Sequence, residues 1–391
     1  MPPPLSSPAP GPRWAVLRCK ADDTDADLPR GAGCLARVSR PPVLTELLVS
    51  PLVDGASGAP VRDPYVIAAD PSGVLLLCGS TAGDPERTAY FLCDAVAHTV
   101  RQLPDTPNDC AGAAGLLVPT GGGGDVMVAE LVWPSTLDAA AATLHCFSPD
   151  TGGPWIRKTP RAATLPPVRS PWCSDRALSY MGKLWWVDLS QGLLACDPSP
   201  AQPDLHFVRF PNARPPTTLA APRVPIDPRS ERCVALSAGK LRYTVLTTGG
   251  IVPRIKLWTL ADPDAGEWTL DHKLSFRRDI WSSRSYGQTG LLNRVPALGL
   301  VHPGKPQVVY IFEREHLYGF DMRVKEFTEG TLAEISRDEA SSAFLLAWEL
   351  PPSLQVSGPV PTEDLRSRAF DRLAAAFGDA CDAAITAMEF E

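Results

Sequence analysis

The 391-residue chain lacks most of the features that would assign it a chemistry at once. Its ten cysteines contain no C-x-x-C pair, so neither a zinc site nor a thioredoxin-type redox motif is written in their spacing. No Asn-x-Ser/Thr acceptor for glycans occurs, and no apolar run reaches the ~18 residues of a membrane-spanning helix. The opening MPPPLSSPAPGPRW has neither a charged n-region nor an apolar h-region, and the ADDTDAD that follows is unlike an acidic-poor transit peptide. Together these point to the cytosol or nucleus, with the cysteines reduced and serving as small core residues. A net charge of −7 and a pI near 5.5 argue against nucleic acid or an anionic membrane as the main partner.

Motifs for catalysis are equally scarce. No G-x-S-x-G elbow is present, and the glycine run 121–124 is followed by no Gly-Lys-Ser/Thr, so it reads as a loop tip. Asp23, Asp25 and Asp27 match the first ligands of a calcium loop, but Leu28 stands where glycine is required and Cys34 where the closing Glu belongs. His98, His145, His206, His272, His302 and His316 show no ligand spacing. The expectation is therefore no catalytic residue, no metal and no cofactor, and an enzyme is the less favoured reading.

What the chain does have is proline and a repeat. Its 42 prolines are roughly twice the usual ~5% share, which rules long helices out of most of the sequence and suits edge strands and tight connections. Apolar runs with strand character recur in groups of four. The third run of each group closes on an aspartate: Asp94, Asp150, Asp197, Asp262 and Asp321. Such a period of four short strands is the signature of a β-propeller. Each closing carboxylate has backbone N–H groups to accept in the turn after it. Turn chemistry fills the first connections, as at Asp70-Pro71-Ser72-Gly73 and Met181-Gly182-Lys183. Trp185 and Trp186 are neighbours in a strand, so their side chains are expected on opposite faces, both in the core.

Five such groups are followed by a lone strand, AFLLAWELPP (343–352). Pairing it with the N-terminal strands RWAVLRCK (13–20) and 34–51 would complete a sixth blade and remove two exposed edges. The expected architecture is all-β: a Pro/Ser tail over 1–12 without order, a single six-bladed propeller over 13–354, and a linker and helix over 355–391. In that helix Phe370, Leu373, Phe377, Cys381, Ala384 and Met388 form one apolar stripe after an N-cap at Thr362.

The strings LWWVDLSQGLLACDP and DLHFVRFP (184–211) and SSAFLLAWELPP (341–352) resemble a large plant family known as domain of unknown function 1618. The resemblance spans about 65–354. It implies a kelch-like or F-box-associated-like propeller and supplies no catalytic residues; the N-terminus shows no F-box-like helical stretch.

One stretch reads as a binding surface. RRDIWSSRSYGQTGLLNR (277–294) is a long connection carrying Arg277, Arg278, Trp281, Arg284 and Tyr286, with Arg294 at its end. Arg, Trp and Tyr dominate interface hot spots, and connections of a rigid scaffold are where binding residues collect. The functional expectation is a scaffold that binds a protein partner through this loop. Two alternatives stand beside it: a small-ligand binder or enzyme using the central channel, and a receptor-like subunit of a ubiquitin ligase acting in trans.

Overall fold

The 42 prolines and 30 glycines break the chain into strands too short to stand alone, and the fold is the way those strands cover one another. In the computed structural model the described residues are 12–355 without 25–26, 56, 83, 107–112, 120–124, 134–141, 165–171, 212–227, 249–251, 290, 314 and 334–339. They belong to one unit, Pro12–Gln355. The helix expected over 362–390, the tail before Pro12, the loop 121–124 and Asp25 lie outside the described residues.

The first four strands are β1 (Trp14–Arg18), β2 (Asp22–Asp23), β3 (Cys34–Arg37) and β4 (Leu44–Val49). Blade I follows as β5 (Val61–Ala69), β6 (Val74–Thr81), β7 (Asp84–Asp94) and β8 (Thr99–Gln102). Blade II is β9 (Ala113–Leu117), β10 (Met127–Val132), β11 (Thr143–Phe147) and β12 (Ile156–Lys158). A short β13 (Arg161–Thr164) precedes blade III, which is β14 (Arg176–Tyr180), β15 (Lys183–Asp188), β16 (Gly192–Cys196) and β17 (Asp204–Arg209). Blade IV is β18 (Arg232–Ser237), β19 (Lys240–Thr247), β20 (Arg254–Asp262) and β21 (Glu267–Ser275). Blade V is β22 (Ala297–Val301), β23 (Val308–Glu313), β24 (His316–Asp321) and β25 (Glu326–Leu332). The last strand is β26 (Leu345–Glu349). Within each blade the four strands pair in sequence order and antiparallel, and β13 adds to blade III by parallel pairing with β17.

The turns follow from local chemistry. Asp94 Oδ1 accepts the N–H groups of Val96 and Ala97 at 2.9 and 2.8 Å, and Asp262 Oδ1 those of Asp264 and Ala265 at 2.9 Å each. Asp197 Oδ1 accepts from Ser199, and Asp321 Oδ1 from Arg323 and Val324. Asp150 departs from this pattern: its Oδ2 accepts from Val126, across the blade. At the β14–β15 turn Met181 and Gly182 have φ of 51° and 70°, the two left-handed positions of a primed hairpin turn, which glycine adopts without a Cβ clash.

The expected six blades are corrected to five. As anticipated, β26 pairs antiparallel with β1, from Trp14↔Glu349 to Arg18↔Leu345. But β1 and β2 both run parallel to β4, and β3 alone pairs antiparallel with it. This mixed sheet is not a four-stranded meander. Its strands come from both ends of the unit, and β1, β2 and β26 join it without a hairpin, so parallel pairing is open to β1 and β2.

Alternate residues pack at the seams between sheets. Trp186 joins Leu184, Leu194 and Leu144 on the blade II side, while Trp185 joins Leu193, Tyr243 and Leu260 on the blade IV side, so the tryptophan pair splits across two seams as expected. Phe91, Leu77 and Trp348 bridge blade I and the mixed sheet, and Tyr310, Leu317 and Val16 bridge it to blade V.

Candidate functional site

Two places were candidates: the centre of the ring and the connection after β21. At the centre, the first strand of each blade faces inward. Arg176, at the start of β14, donates Nη2 to the carbonyls of Ser342, Leu345 and Ala343 at 2.8, 3.0 and 3.4 Å. The Ser342 hydroxyl lies 2.8 Å from the carbonyls of both Arg229 and Arg232. The Tyr65 hydroxyl, from blade I, donates to the Ala343 carbonyl, and Cys19 N–H to that of Phe344 at 2.9 Å. Residues 341–345, which lead into β26, are thus held by blades I, III and IV at once.

Beside these contacts, between Asp175, Arg176, Arg229, Cys233 and Ser342, lies a cavity of about 20 Å³. That is room for about one water. Burial pushes the thiols of Cys19 and Cys233 up to about 11, so neither is a thiolate at neutral pH. Seven of the eight described cysteines are buried or partly so; only Cys173 is exposed, and there too burial of the sulfur and nearby acids push the thiol up. Among the described residues no three His, Cys, Asp or Glu side chains are grouped to hold a metal.

The connection after β21 is more ordered than a loop reading anticipates. Phe276–Ile280 forms a π-helical turn and Arg284–Thr289 a short helix, α1. Ser275 caps the turn, its Oγ accepting from Arg278 N. Asp279 ties it down on two sides, accepting from Ser275 N and pairing with Lys325 Nζ, both at 2.8 Å. Burial alone would raise the Asp279 carboxyl, but the Lys325 ammonium and the Ser275 N–H outweigh it and hold it below the usual carboxylate range. Further on, Ser285 N donates to Glu326 Oε2 at 2.9 Å, and Ser285 Oγ accepts from Phe327 N at 2.8 Å. The segment is therefore fastened to the start of β25.

The six sequence candidates separate into two kinds. Tyr286 is buried, its ring 5.8 Å from Phe327 and its hydroxyl donating to the Leu292 carbonyl. Trp281 is half-buried beside Phe276 and packs on the seam between blades IV and V. Arg277, Arg278, Arg284 and Arg294 are exposed, and none forms an ion pair with a described carboxylate. The pocket beneath, about 10 Å³ between Phe276, Trp281, Tyr286, Arg294 and Phe327, is too small for a ligand. Sequence reasoning had no signal for Arg176, whose partners lie more than 160 residues away, nor for the Asp279–Lys325 pair, separated by 46 residues.

Residues 186–310 match the family model described as a protein of unknown function, DUF1618, which agrees with the resemblance read from the sequence. No curated protein matches the chain. Among solved structures it is similar to Hsv2 of Kluyveromyces lactis, at 12% identity and a TM-score of 0.33. That match covers 68% of this chain and 62% of the other, less than two thirds of its length. It is also similar to apo AztD from Citrobacter koseri, at 10% identity and a TM-score of 0.37 over 85% of each chain. The α-L-arabinanase of Penicillium chrysogenum complexed with arabinobiose matches at 13% identity and a TM-score of 0.37, over 81% of this chain and 86% of that one. At these values none of the three carries an argument about what this chain binds.

Proposed function

We propose that this propeller with a DUF1618 region is a protein-interaction scaffold whose contact surface is the segment 276–294. One observation carries the reading: Arg277, Arg278 and Arg284 stand exposed, with no salt bridge to a described carboxylate, on a segment whose own base is buried and pinned to blade V. Trp281 and Tyr286 then act as anchors of that base, and the arginines as the contacts. Guanidinium groups held on a rigid support lose little conformational freedom on binding, which favours an acidic, carboxylate-bearing partner surface. π-Helical turns are frequent at functional sites, which supports the same place.

Against the channel as a ligand or enzyme site stands its closure by Arg176 and residues 341–345, with space for about one water. A role in trans with a ubiquitin ligase is a particular case of the scaffold and rests on the identity of the partner. No described helix is long and apolar enough to cross a membrane; the cytosol or nucleus remains part of the proposal.

The test is affinity purification of the tagged chain beside a variant with Arg277→Ala, Arg278→Ala and Arg284→Ala. The exposed arginines are outside the core, so stability should change by no more than about 0.5 kcal/mol. A partner captured by the wild type and lost from the triple variant, with its binding weakened by salt, is the expected result. A partner retained by the triple variant would place the contact elsewhere.

A further inference from the structure

Blade IV carries a second cationic site, separate from the arginine segment. On β20, Arg254 and Lys256 are two residues apart and so point to the same face of the sheet, the face turned toward blade III with Val245 and Trp258. On β21, Lys273 is the direct partner of Lys256 and Ser275 the direct partner of Arg254. Residues paired in register share a face, with Cβ atoms about 4.5–5.5 Å apart. Three cations and a hydroxyl thus occupy the corners of one small square. β21 is the outermost strand of its blade, which leaves the square open at the rim.

Like charges placed directly opposite across a sheet are destabilising, and among the described residues no salt bridge offsets them. None of the three cations pairs with a described carboxylate. Glu231 is engaged at 2.6 Å by the hydroxyl of Thr248. Lys256 is half-buried, and its ammonium is held below the ordinary lysine value by burial first and then by the charges of Lys273 and Arg254. The chain as a whole is acidic, so this is a local reversal of sign.

We propose that the Arg254–Lys256–Lys273 square binds the phosphoryl group of a phosphorylated side chain on a partner protein. A carboxylate brings one charge to three cations. A phosphoserine brings about −1.5 to −2 and three acceptor oxygens, which match two ammonium groups, a guanidinium and the Ser275 hydroxyl. β21 is the outer strand of its blade, so a phosphorylated peptide gains contacts along that rim that a small free phosphate does not. The inference does not rest on the 276–294 segment, and either can fail without the other.

The test uses the full chain and a fluorescein-labelled peptide pool with one fixed phosphoserine among degenerate positions, beside the same pool with serine. Fluorescence polarisation is expected to show at least tenfold tighter binding of the phosphorylated pool, weakened by salt and by excess inorganic phosphate. Lys256→Gln with Lys273→Gln should abolish that preference while melting no lower than the wild type, since a repulsive pair has been removed. Lys240→Gln with Lys305→Gln, exposed lysines elsewhere on the chain, should keep it. Equal binding of the two pools, or an unchanged preference in the first double variant, would overturn the proposal. So would inorganic phosphate alone binding as tightly as the peptide, or binding only to phosphatidylcholine vesicles carrying phosphatidic acid.

Discussion

The five blades and the mixed sheet solve the same packing problem by different means. In a blade every strand pairs with its neighbour in sequence, so most of the contacts are local. In the mixed sheet β1 meets β26 across more than 300 residues, and the pairing with β4 is parallel. What the mixed sheet lacks in local hairpins it recovers through side chains. Trp348 Nε1 donates to the Asp70 carbonyl at 2.9 Å, Tyr65 reaches the Ala343 carbonyl, and Arg176 reaches three carbonyls of the same segment. A ring built of repeats can grow by adding blades, but it must be fastened by residues that belong to no repeat.

The comparison breaks most visibly at its two buried tryptophans. Trp186 in blade III and Trp348 in the mixed sheet are both fully buried, and Trp→Ala at either should cost about 3–5 kcal/mol in denaturant unfolding. The kinetics should part them. If the long-range sheet forms last, Trp348→Ala accelerates unfolding and leaves refolding unchanged, whereas Trp186→Ala slows refolding as well. Equal effects on both limbs would show that the mixed sheet forms together with the blades.

Arg176→Met comes next. It keeps the length of the side chain but strands the carbonyls of Ser342, Ala343 and Leu345, and a charge-assisted hydrogen bond is worth about 1.5–3 kcal/mol. A loss in that range is expected. Thermal melting that shows no change would mean the segment 341–345 is held by its other bonds alone.

The smallest effect belongs to the anchored segment. Asp279→Asn should cost about 1 kcal/mol, because it weakens one half-exposed ion pair and keeps an acceptor for Ser275 N–H. The Asp279 carboxyl is lower in the folded state than in the unfolded chain, so its stabilisation is present at neutral pH. It is lost as pH falls below the ordinary carboxylate range toward the folded value. Wild type and variant should therefore converge in stability at acid pH, which a series of melts from pH 7 to about pH 3 reads directly. A constant gap would show that the carboxylate charge is not what holds the turn.

Much of the blade pattern was legible because its causes are local. Asp94, Asp197, Asp262 and Asp321 each accept N–H groups two or three residues ahead, and that reach is written in the residue type. Trp185 and Trp186 separate because adjacent strand residues must. The number of blades was less legible. β1 and β26 pair as read, but nothing in 13–51 signals that β1 and β2 run parallel to β4. In the candidate segment the arginines were legible as a group, while the burial of Tyr286 beside them was not. Burial is decided by Phe327 and the seam beneath, which come from blade V, farther along the chain.

By itself the sequence determined the all-β class, the five-fold recurrence, the turns and the faces of the strands, because alternation and side chain-to-backbone bonds act over two to four residues. Tertiary structure alone decided which charges meet. Arg176 at the axis, Lys325 beneath Asp279, and Lys256 opposite Lys273 all depend on how separate strands come to lie side by side. Coulombic and hydrogen-bond energies follow distance in space, and in a closed ring that distance is set by the seams between sheets, not by position along the chain.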